Sequence, residues 1–157
     1  MADLTVTITE SVLLNNVDQG GSHTLTVTGV DDFYKRIVTC TNDVATTLAV
    51  FGATPNTGDS FVDIENVKYI RVTNLDGGDP VNVSLQIDTG TDGADHQTTF
   101  LLDPGKSLML GGTDAIIATS DDTAALDTSL NDVESIIAQP TASDAAQVEI
   151  FIASVVA

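Results

Sequence analysis

Every second residue from Val81 to Ile87 is apolar, while Asn82, Ser84 and Gln86 between them are polar. Alternate side chains leave a strand on opposite faces, so this run has one buried and one wet face. The same period recurs at Leu4, Val6 and Ile8 between Thr5, Thr7 and Thr9, and again at Leu25 and Val27 among Thr24, Thr26 and Thr28. Composition agrees. The chain holds 22 Thr, 17 Val and 11 Ile in 157 residues, and such β-branched side chains pack well on a pleated surface. Its acids are 19 Asp against 4 Glu. Asp suits turns and Glu suits helix interiors, so the skew favours strands joined by acidic turns.

Taken in order, the chain reads as about ten short strands. After the two Thr-rich runs and the polar loop 15–22, residues 34–41 form a strand apolar on both faces at Ile37, Val38 and Cys40. That pattern suits a strand in the middle of a sheet or between layers. Strands are expected at 46–51, 61–64, 69–73, 81–87, 98–102, 108–110, 133–138 and 146–156, with a shorter candidate at 115–118. Residues 69–73 and 81–87 read as a central hairpin across Asn74–Pro80. Pro104-Gly105 has the signature of a type II turn, with Gly at the positive-φ position. The one helix candidate is 120–130, SDDTAALDTSL, capped by Ser120; an acidic loop fits the same residues. Turn signals every 8–12 residues are the spacing of an antiparallel sandwich or barrel. The expected fold is a single all-β domain over residues 1–157, an antiparallel β-sandwich of jelly-roll type with at most one short helix.

Charge narrows the function. The formal net charge is −18, opposed only by Lys35, Arg36, Lys68, Arg71 and Lys106. Direct binding of nucleic acid needs clustered Lys and Arg, so it is disfavoured, and so is attachment to an anionic membrane. Cys40 is the only cysteine, which rules out an intrachain disulfide and a CxxC metal site. The first residues, MADLTVTITE, lack the basic and apolar regions of a signal peptide. No apolar run is long enough to span a bilayer as a helix.

Catalytic patterns are thin. His23 and His96 are the only imidazoles, far apart and each beside a Gly-rich turn. No serine sits in a GxSxG elbow, and no HExxH or phosphate-binding Gly loop occurs. Cys40, in an apolar strand, reads as a small hydrophobe. The strongest constellation is Asp88, Asp92 and Asp95 in a Gly-rich loop, a weak Ca²⁺ candidate because carboxylates and loop carbonyls suit that ion. Its spacing does not follow the EF-hand pattern. Asp76 and Asp79 flank a second Gly-Gly turn and read as turn formers. Aromatics are scarce, which counts against a sugar-stacking platform. The expectation is no enzyme, no cofactor and no catalytic metal.

Three stretches carry a resemblance: YIRVTNLD from Tyr69, VNVSLQI from Val81, and FLLDPGKSLML from Phe100. In these the chain resembles small β-sandwich structural proteins of tailed bacteriophages, especially from marine hosts, of the capsid decoration or cement type. The resemblance implies a virion protein made in the host cytoplasm and attached outside a shell of major capsid protein, often as a homotrimer. It carries over no site residues, since such proteins work through interfaces. The apolar 12–14 and 151–156 are the segments expected to serve a subunit interface. The alternative is a phage tail or fibre domain, or another carbohydrate-binding β-sandwich module. A hydrolase or lyase on a cupin-like barrel would need a His cluster, which two separated histidines supply poorly.

Overall fold

The computed structural model describes residues 1–52, 61–87, 96–118, 128–142 and 144–156. In chain order the strands are β1 (Ala2–Glu10), β2 (Leu13–Leu14), β3 (Val17–Asp18), β4 (Gly21–Val30), β5 (Asp32–Cys40), β6 (Thr46–Gly52), β7 (Phe61–Asp63), β8 (Val67–Asn74), β9 (Val81–Ile87), β10 (His96–Leu102), β11 (Ser107–Leu110), β12 (Val133–Pro140) and β13 (Ala146–Ser154). The helical structure among the described residues is one 3-10 turn, Ile64–Asn66. Of the helix candidate 120–130, residues 120–127 lie outside the described residues and 128–130 are irregular.

Eight of these strands pair in a nested way. β9 pairs with β10, β8 with β11, β6 with β12 and β5 with β13, all antiparallel. A long hairpin rolled up on itself pairs like this, and the result is a jelly roll. The two sheets run β10-β9-β12-β6-β7 and β11-β8-β13-β5, with β7 added in parallel to β6. The expected all-β sandwich is therefore the fold found.

Val81, Val83, Leu85 and Ile87 are all 0–1% exposed, as their alternation requires. Most of them meet Ile70 and Val72 of β8 and Val148, Ile150 and Ile152 of β13 in one core cluster. Each such side chain contributes about 1.5–3 kcal/mol on leaving water. Ser84 points to the other face, yet it is buried at 6%. Thr99 Oγ1 and Gln97 Oε1 on neighbouring β10 lie 3.1 and 3.3 Å from its hydroxyl and cover it.

Several sequence expectations are corrected. β8 and β9 form no hairpin: they lie in opposite sheets. Two-residue turns close hairpins, whereas the longer 74–80 connection steps across the roughly 10 Å between stacked sheets. The 103–106 turn likewise joins β10 to β11 in the other sheet, with Gly105 at φ +73° and Lys106 N donating to Asp103 O at 3.0 Å. Asn74, fully buried, ties both connections together. Its Nδ2 donates to Asp79 O at 2.8 Å and Leu102 O at 3.0 Å, and its Oδ1 accepts from Asp76 N at 3.0 Å. β5 is a sheet margin and not a central strand, and its second apolar face, at Phe33 and Ile37, stays exposed. Of the 115–118 strand candidate, one isolated bridge remains, between Ile117 and Asn131. Ala115 takes a positive φ of 48°, which breaks strand geometry there.

The first 30 residues form their strands outside the two sandwich sheets. β1 and β4 form a long antiparallel ribbon, and β2 and β3 pair near its tip through Asn15 and Asn16, both at positive φ. The expected loop 15–22 is thus largely the folded end of this arm. Leu4, Val6 and Ile8 pair with Val27, Leu25 and His23 on one side, while Thr5, Thr7 and Thr9 face Thr26, Thr24 and Ser22 on the other.

Candidate functional site

The outer face of the β11-β8-β13-β5 sheet holds the densest chemistry described. Because Ile70, Val72, Val148, Ile150 and Ile152 turn inward, alternation sends Tyr69, Arg71, Glu149 and Phe151 outward. Phe151 lies between Lys35 and Arg71 in register. Its ring stacks on Phe33 at a 6.4 Å centroid separation and meets Tyr69 edge-on at 6.2 Å. Such pairs add about 0.5–1.5 kcal/mol beyond their buried area.

Glu149 sits one step along β13 and joins two cations. Its Oε2 accepts from Lys35 Nζ at 3.1 Å, and its Oε1 accepts from Arg71 Nη2. The glutamate side chain is only 12% exposed, so its charge is paired where water is scarce. Arg71 Nε is buried and meets no acceptor among the described residues. Two of the chain's five cations therefore surround one acid, leaving a locally positive spot on a strongly acidic molecule.

The base of the arm lies over this face. Leu4, Val6, Lys35, Tyr69, Arg71 and Phe151 are among the residues around a hollow of about 340 Å³. Further along, Val6, Ile8, His23, Leu25, Tyr69 and Met109 border a smaller one of about 220 Å³. The arm crosses the sheet from the β5 side toward β11 and leaves unfilled space beneath it.

The residues singled out from sequence do not converge here. Asp88, Asp92 and Asp95 lie outside the described residues. His23 lies on the arm and His96 opens β10 in the other sheet. Cys40 is fully buried at the end of β5, and burial pushes its thiol up, partly offset by a hydrogen bond with Thr46. A thiol kept protonated in this way is a poor nucleophile. Asp76 is held below the usual carboxylate value by hydrogen bonds from the backbone of Asp79 and Gly78, at 2.9 and 2.8 Å. Its lone pairs serve the turn. The Lys35–Glu149–Arg71 cluster was missed in the sequence; its signal was three charged residues each set inside an apolar strand. Among the described residues no group of three His, Cys, Asp or Glu is placed to hold a metal.

Compared with known families, curated proteins and solved structures, the chain matches none of them.

Proposed function

We propose that this protein is a virion structural protein that binds the outside of a phage capsid shell in many copies and stabilises it. The observation that carries the reading is exposed apolar surface on projecting elements. Val12, Leu13, Leu14 and Val17 on the arm, and Phe33 and Ile37 on the β5 margin, are 53–70% exposed. Apolar groups held on a ribbon and a sheet margin suit broad contact with other proteins. The resemblance at 69–110 and the jelly roll, a form shared by viral capsid and lectin domains and by cupins, support it by analogy. An acidic body keeps such a protein off packaged DNA. A standard interface buries on the order of 1,600 Å², and repetition over a shell turns modest affinity into avidity.

Quantitative proteomics and imaging of intact virions test this. The expected result is a copy number comparable with the major capsid protein, and protrusions on the head. A few copies at the tail, or none in particles, rejects the capsid role. The second reading is a carbohydrate-binding tail or fibre module, favoured by the Phe33–Phe151–Tyr69 row with Phe33 open to solvent. Glycan binding by the purified protein that is lost in Phe33→Ala would put that reading first.

A further inference from the structure

The two hollows between the arm and the sheet, about 340 and 220 Å³, share Val6 and Tyr69 as walls, so they adjoin. Below them Lys35, Phe151, Arg71 and Met109 stand in register across β5, β13, β8 and β11. Neighbouring strands lie about 4.8 Å apart, so this row is about 14 Å long. Along β1, the four steps from Leu4 to Ile8 cover about the same distance. Taken together the hollows have the size of an ordinary small-molecule site, roughly 300–1,000 Å³.

The two ends differ in chemistry. The larger hollow is lined by Lys35 and Arg71 and, among the described residues, by no acid, in a chain of net charge −18. Both cations share Glu149, and one carboxylate offsets only one of two positive charges. Arg71 also keeps a buried Nε with no acceptor among the described residues. Buried donors seldom go unmatched. One positive charge left over suits a singly charged head, and the guanidinium fork matches a carboxylate. A phosphate monoester, at about −1.5 to −2, would overshoot it. The smaller hollow is apolar along Val6, Ile8, Leu25, Met109 and Leu110.

We propose that this crevice binds a straight-chain fatty-acid carboxylate of medium length. Its head lies over Phe151 between Lys35 and Arg71, and its tail follows β1 into the hollow beside Ile8, Leu25 and Met109. The head supplies an acceptor to the cations, and the tail fills apolar space. The site does not rest on the capsid reading. A virion protein that binds no fatty acid keeps its place on the head, and a fatty-acid binder absent from particles keeps its site.

Isothermal titration calorimetry of the purified full chain with hexanoate, octanoate and decanoate is the test. Decanoate is expected to bind one to one, and affinity to rise about tenfold for each two methylenes buried. The alcohol of the same length as decanoate lacks the charge and is expected to bind weaker by roughly tenfold or more. Lys35→Met is expected to cost decanoate roughly tenfold and to leave the alcohol unchanged. Met109→Asp is expected to abolish the gain with chain length. The Lys35 side chain is 52% exposed and Met109 43%, and circular dichroism checks that both variants fold. No heat with decanoate overturns the proposal, and so does an alcohol that binds as tightly. An affinity that does not grow from hexanoate to decanoate also overturns it, because it leaves a bare anion contact at Arg71. These wild-type outcomes decide the matter even where a variant fails to fold.

Discussion

Asn74 shows what one buried polar residue does in this fold. All its side-chain hydrogen-bonding atoms have partners, and those partners belong to two different sheet-crossing connections. Asn74→Ala removes the partner of the Asp76 NH and of two carbonyls, that of Leu102 buried, and is expected to cost about 1–3 kcal/mol in urea unfolding. Glu149→Ala removes the acceptor of two cations, and a loss of about 1.5–3 kcal/mol is expected in the same measurement. Asp76 gives a pH dependence. Its carboxyl is held below its unfolded value, so its contribution is present above about pH 4 and is lost as pH falls through the folded value. Asp76→Asn is expected to flatten that part of the acid limb when melting temperature is followed against pH. At this scale the sequence was readable where a side chain follows strand alternation, as at Val81, Val83, Leu85 and Ile87. It was not readable at Asn74, whose role depends on Leu102 and Lys106, about thirty residues away. Nor did it reveal Glu149, whose partners come from two other strands.

Among the elements, the arm and the sandwich differ in kind. β8, β9, β12 and β13 bury side chains on the core face and take partners on both edges. The arm pairs only with itself and rests loosely over hollows. Amide exchange is expected to be fast along β1 and β4 and slow in β9 and β13, as measured residue by residue. Gly20 fixes how the arm folds near its tip. A Cβ there would lie 2.1 Å from Glu10 O. Gly20→Ala is therefore expected to speed protease cleavage of the arm while leaving the main thermal transition in place. Strand existence was legible because period-two patterning is local. Strand partners were not: the 74–80 connection reads alike as a hairpin loop or as a crossing between sheets. β5 looked central because an edge strand and an inner strand share the same two-faced apolar pattern, and only its missing neighbour tells them apart.

For the whole molecule, charge and topology set the behaviour. With 23 acids against five bases, repulsion outweighs the few ion pairs. Added sodium chloride is therefore expected to raise the melting temperature by screening, most steeply at low ionic strength. The jelly roll was legible as a class from turn spacing and β-branched content. Its nested pairing was not, because it joins strands far apart in the chain, and such non-local pairing also makes folding slow.

The place of β13 has a consequence during synthesis. It sits between β5 and β8 in the finished sheet, yet it is the last of the three to be made. Until Ser154 has cleared the ribosome, β5 and β8 have no strand to share, and the four-stranded sheet cannot close. That sheet must therefore close after nearly all of this sequence has emerged, later than the sheet that holds β9 and β12. During that wait the apolar residues of the earlier strands lie open to other chains. Cells making this protein in quantity are expected to rely on chaperones that hold the nascent chain until residues 146–154 arrive.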